Sequence, residues 1–170
     1  MTQSNKNHLS HEISNSDAKY FELFKSHAHF GLKVRQELKR AERYCEFVSL
    51  ITINIQRENR IESEFDNSES GFDIIERMQE GLRKLICRSI RITDYVSGIE
   101  NDMMGLLLVE TSKEGASVFL ERLKSIINGY LSPYYSEECP TDISYLTVSF
   151  PDENHDKNEF AHTIREFIRD

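Results

Sequence analysis

Apolar positions along this chain recur at two spacings, one helical and one of strands, and the alternation predicts an intermixed α and β fold. From Asp17 to about Glu46, Tyr20, Phe24, Phe30, Val34, Leu38, Ala41 and Cys45 repeat at helical spacing with charges between them. They predict a long amphipathic helix with a break near His27–Gly31. Phe47 to Ile55 is β-branched and nearly continuously apolar, the pattern of a central strand buried on both faces, expected to end at Asn54. Residues 56 to 72 are charged and loop-like, after which Ile74, Ile75, Met78, Leu82, Leu85, Ile86 and Ile90 form the stripe of a second helix that delivers Arg91. Tyr95 to Ile99 and Met104 to Val109 flank a polar turn and predict an antiparallel hairpin. A third helix follows through Ala116, Phe119, Leu120, Leu123, Ile126, Ile127 and Tyr130. Ile143 to Phe150 then predicts a strand, and Phe160, Ile164, Phe167 and Ile168 a last helix. Residues 1–16 are polar without periodicity and are expected to be a disordered lead or linker remnant, leaving one domain over residues 17–170.

Composition narrows the classes of function. The chain has 170 residues, 38% of them hydrophobic, enough for one buried core. A net charge of −8, from 29 acidic and 21 basic residues, disfavours nucleic acid and anionic membranes as nonspecific partners. A small anionic ligand would need a local basic pocket. Cys45, Cys87 and Cys139 are far apart and suggest neither a disulfide framework nor a zinc site. No segment approaches the roughly 20 apolar residues of a membrane span, so no membrane insertion is expected and a cytoplasmic location fits, whether for this chain or for a larger protein containing it. The histidines, His27 and His29 among them, have no partner at nucleophile or metal spacing.

Three stretches carry a resemblance. Glu37 to Tyr44, with its Arg40-Ala41-Glu42-Arg43-Tyr44 run, precedes the strand that ends in Asn54-Ile55-Gln56. Asn67 to Glu76 carries a Gly71 and a Glu76. Arg91-Ile-Thr-Asp94 leads into Glu100-Asn101-Asp102-Met103-Met104 and the apolar strand after it. Over roughly residues 30 to 150 this order resembles a GGDEF domain, the diguanylate cyclase type, with its catalytic letters replaced. The resemblance implies an α/β (α+β) fold, a mixed central sheet covered by helices and related to the nucleotide cyclase and palm fold.

The same resemblance implies no catalytic residues and no magnesium. Asn54 and Gln56 stand where the family has strand-end aspartates, and Met103 stands where it has a second carboxylate. Only Asp102 retains the acidic character of its signature position. Glu100 and Asn101 replace glycines, which a phosphate-cradling turn uses for close approach and unusual torsions, and the family's opening motif is not recognisable before Phe30. Phosphoryl transfer depends on positioning and metal electrostatics, so cyclase activity is not expected.

What the resemblance retains is the family's inhibitory site for cyclic di-GMP, marked by Arg-x-x-Asp ahead of the signature. Here that is Arg91 and Asp94, with Arg122 supplied by the following helix. A guanidinium fork suits a phosphate or a guanine edge, and a carboxylate accepts from guanine donors. The bland readings are a helix-terminal ion pair for Arg91 with Asp94 and a solvated charge for Arg122. Asn67 and Glu76 stand where the family reads the guanine of GTP. The expected role is thus a silent cyclic di-GMP receptor, able to act through a homodimer or a protein partner. The alternatives are a ligand-free interaction scaffold and a weak GTP-binding regulatory domain.

Overall fold

The first helical stripe becomes α1, His27–Tyr44, capped by Ser26, whose side chain accepts the N–H of His29. The computed structural model describes residues 26–57, 69–132, 141–152 and 157–169; the lead of residues 1–16 and the residue Asn67 fall outside them. Residues 17–25 of the expected first helix also lie outside the described residues; no break falls at His27–Gly31, which form the first turns of α1 after its N-cap Ser26. Gly31 serves close approach there, since a Cβ would collide with Ile168. Cys45 does not join the apolar stripe. It is exposed and ends α1 in the left-handed region at φ 56°.

The remaining elements follow the sequence with shifted bounds. They are β1 (Val48–Arg57), α2 (Glu69–Ser89), β2 (Tyr95–Val96), β3 (Met103–Val109), α3 (Lys113–Leu131), β4 (Thr141–Phe150) and α4 (Lys157–Arg169). β1 runs past Asn54 because β4 pairs with it out to Arg57 and Thr141. α2 starts at Glu69, inside the stretch that reads as loop. β2 is shorter than expected because a side chain interrupts its ladder: Ser97 N–H donates to Gly105 O, but Gly105 N–H donates to Ser97 Oγ, each at 2.8 Å.

The sheet order is β2-β3-β1-β4, and the α+β class read from the sequence holds. All described pairings are antiparallel, so the sheet is not mixed in direction among these strands. β2 runs in the direction of β1, but its hairpin partner β3 inserts between them.

Alternation along β1 sends its side chains to two cores. Ile51, Ile53 and Ile55, with Met104, Leu106 and Leu108 of β3, pack against Met78, Leu82 and Ile86 of α2 and Leu123, Ile127 and Leu131 of α3. On the other face Val48, Leu50, Leu107 and Val148 meet Phe30, Val34, Leu38 and Ala41 of α1 and Phe160, Ile164 and Phe167 of α4. β1 is therefore a central strand buried on both faces, as its unbroken apolar run predicts.

Candidate functional site

The residues singled out by the resemblance fall in two places, and β3 holds them apart. The hairpin tip lies before Met103, while the loop of Arg91 and Asp94 is fastened to Val109 at the far end of the strand. With a rise of about 3.3 Å per residue, the seven-residue strand separates them by roughly 20 Å.

At the tip, Glu100 and Met103 close a two-residue turn, with Glu100 N–H donating to Met103 O at 3.1 Å and Met103 N–H to Glu100 O at 2.9 Å. Asn101 and Asp102 both adopt left-handed torsions, φ 49° and 58°. Glycine is thus unnecessary for the torsions of this turn, because Asn and Asp tolerate that region best among residues with a Cβ. Asp102 is held as a turn residue: its carbonyl accepts Ile55 N–H at 2.8 Å, and Gln79 Nε2 lies 3.4 Å from its Oδ1. Met104 is buried in the core and Met103 packs partly against the α1 and α4 side.

The register places Asn54 directly opposite Met103 on one side and Ser144 on the other. These residues share one sheet face, which α1 and α4 leave open at this end, with Ser144 exposed and nearby Leu146 at 53% exposure. Two of the three positions where the resemblance puts lost carboxylates, Asn54 and Met103, are therefore cross-strand neighbours. An amide and a thioether do not suit a hard cation such as magnesium, which binds through carboxylate and phosphate oxygens.

The sequence reading missed His27. It is buried, stacks on Phe167 with ring centroids 4.1 Å apart, and puts Nε2 3.2 Å from Gly98 O and 3.1 Å from Met103 O. Two carbonyl acceptors at one nitrogen require that nitrogen to carry the proton. Glu100 Oε2 accepts the His27 backbone N–H at 3.1 Å and lies 3.7 Å from its Nδ1. Glu100 thus places a carboxylate at the positive end of α1. His27 is one helical turn before Phe30 on the same apolar stripe, a signal that marks burial but not its partner 73 residues away. His27→Phe keeps an aromatic ring against Phe167 and removes both carbonyl bonds. It is expected to cost about 1–3 kcal/mol in urea unfolding; an unchanged midpoint would mean that the hairpin tip does not hold α1.

At the other site, Asp94 is 5% exposed and both its oxygens face the backbone. Oδ2 accepts Arg91 N–H at 2.9 Å, Oδ1 accepts Val109 N–H at 3.1 Å, and Asp94 N–H donates to Arg91 O at 3.0 Å. The bland reading of an Arg91–Asp94 ion pair does not hold, because Asp94 engages the backbone of Arg91 and not its side chain. Arg91, Ile92 and Thr93 are all exposed, and the Arg91 guanidinium makes no ion pair among the described residues.

Arg122 is exposed on α3 and reaches across to the end of α2, its Nη2 3.5 Å from Ser89 O. Its guanidinium lies 5.3 Å from the Phe119 ring centroid. The fold therefore brings Arg122 to the helix end that leads into Arg91, a proximity that 31 residues of separation conceal. Glu76 falls within α2. No group of three or more His, Cys, Asp and Glu side chains suited to a metal occurs among the described residues. No helix among them is long and apolar enough to cross a membrane.

The sequence matches no protein-family model and no curated protein. Its fold matches solved GGDEF domains. The active GGEEF domain of a diguanylate cyclase from Vibrio cholerae is 18% identical, with a TM-score of 0.59 over 85% of this chain and 87% of that one. The GGDEF domain of DgcB from Caulobacter crescentus, solved in complex with cyclic di-GMP, is 11% identical with a TM-score of 0.61, covering 84% and 80%. Diguanylate cyclase SiaD from Pseudomonas aeruginosa, solved in complex with its activator SiaC, is 15% identical with a TM-score of 0.61, covering 95% of this chain and 64% of that one.

Proposed function

With the GGDEF fold as the premise, we propose that this chain is a catalytically silent cyclic di-GMP receptor that binds its ligand at the 91–94 turn and Arg122. The observation that carries the reading is the exposed Arg91 guanidinium, left without an ion pair among the described residues beside a second exposed arginine. In a chain of net charge −8, two arginines on one surface provide the local basic site that a small phosphodiester needs. The cyclic di-GMP bound to the similar DgcB domain supports this ligand class.

Catalytic silence rests on Asn54 and Met103, the neutral pair that faces across β1 and β3. Incubated with GTP and Mg²⁺ or Mn²⁺, the protein is expected to form no cyclic di-GMP above a buffer control. Turnover abolished by a substitution at Asp102 would overturn that part of the reading. The receptor part is tested by isothermal titration of cyclic di-GMP into the purified protein, with GTP as the comparison ligand. Saturable heat from cyclic di-GMP supports it, and no heat at high protein concentration rejects it.

A ligand-free docking module is the second reading, favoured by Ile92 at 82% and Val118 at 73% exposure. Ile92 adjoins Arg91, and Val118 is one turn before Arg122 on α3, so apolar groups flank the same surface. The SiaD–SiaC complex is a precedent for a protein partner on this fold. A silent titration together with self-association or partner binding sensitive to Ile92→Asp would select this reading.

A further inference from the structure

We propose that Asp94 is a positioning residue, which holds the 91–94 turn in the shape that presents Arg91 and does not itself contact the ligand. The inference rests on the receptor reading and departs from the role that the resemblance assigns to Asp94, a carboxylate that accepts from the guanine base.

Three observations carry it. Asp94 is 5% exposed in a segment whose preceding three residues are all exposed. Its two oxygens accept from two different backbone amides, Arg91 N–H on Oδ2 and Val109 N–H on Oδ1. Its own N–H closes the turn on Arg91 O. The carboxylate thereby ties the turn to the last residue of β3, itself buried and paired with Val48 of the central strand. Charge-assisted bonds from amides to a buried carboxylate are strong and directional, so the turn is rigid before any ligand arrives. At 5% exposure the carboxylate presents almost no surface to a base, and moving outward to meet one would release at least one amide and leave it unpaired. The exposed Arg91 guanidinium needs no such movement.

The two roles differ in what they do to base selectivity. A guanine reader accepts from N1 and N2 donors and meets an acceptor N1 on adenine, so its loss would erase discrimination between cyclic di-GMP and cyclic di-AMP. A positioning residue misplaces Arg91 for both ligands alike. Asp94→Asn is therefore expected to weaken each ligand by a similar factor, roughly tenfold, with the ratio of their affinities kept within about twofold of the unmodified protein's. In ligand-free Asp94→Asn, the Arg91 and Val109 amide protons are expected to exchange faster with solvent, because the new amide can accept only through its oxygen.

Loss of the affinity ratio with unchanged exchange at both amides would overturn the proposal. If Asp94→Asn does not fold, Asp94→Ser, still a short acceptor, replaces it in both measurements. Should the unmodified protein bind no cyclic di-GMP, the receptor reading fails, while exchange at Arg91 and Val109 still reports whether Asp94 holds the turn.

Discussion

Arg91→Ala is expected to weaken cyclic di-GMP binding by roughly 10- to 100-fold, the loss of one bidentate charge-assisted contact. The melting temperature should not move measurably. The side chain is exposed and makes no ion pair among the described residues, so truncation leaves no cavity and orphans no buried group. Surface changes of that kind stay within about 0.5 kcal/mol. The contrast between affinity and stability separates a binding arginine from a structural one. Arg122→Ala is expected to do less, since that guanidinium also contacts Ser89 O and lies over Phe119. Both losses should be read by isothermal titration at fixed salt, because an exposed cation pair binding an anion weakens as ionic strength rises. An Arg91→Ala protein that binds as tightly as the unmodified one would remove the observation on which the receptor reading stands.

Phe30→Ala is expected to have the largest effect on stability, about 3–5 kcal/mol in urea unfolding, the range for truncating a fully buried phenylalanine. Phe30 is 0% exposed, meets Phe167 edge-on with ring centroids 5.6 Å apart, and lies over Gly105 of β3. The fit depends on that glycine, since a Cβ at residue 105 would stand 2.5 Å from the Phe30 ring and 2.9 Å from the Phe167 ring. Removal of Phe30 opens a cavity where α1, α4 and the sheet meet, and neither helix can fill it without losing its other contacts. The consequence extends to the hairpin tip, because His27, one turn earlier on α1, stacks on the same Phe167. A cost under about 1 kcal/mol would contradict the packing of α1 on this face.

The elements were largely legible from local pattern. β1 read correctly as a central strand because a strand covered on both faces must be apolar at successive positions. Its neighbours α1, α2, α3, β4 and α4 showed their spacing with equal clarity. The bounds that shifted did so for tertiary reasons: β1 extends because β4 pairs with it, and Ser97 ends β2 by supplying an oxygen where a carbonyl would continue the ladder.

The sites divide differently. The resemblance, and not periodicity, singled out Arg91, Asp94 and the five residues from Glu100 to Met104. It could not show that Asp94 turns inward to two amides while Arg91 turns outward, since that depends on Val109 arriving at the turn from another strand. His27 was left without a role because its partners, Glu100, Gly98 and Met103, are distant in sequence.

The sequence by itself determined the element types and the apolar run that marks β1 as a strand buried on both faces, because periodicity and residue chemistry are local properties. Only the tertiary structure decided that Asn54 faces Met103, that Arg122 reaches Ser89 at the end of α2, and that β3 holds the 91–94 turn roughly 20 Å from the hairpin tip. Those are consequences of strand register and helix docking, in which one residue's surroundings are set by segments far from it along the chain.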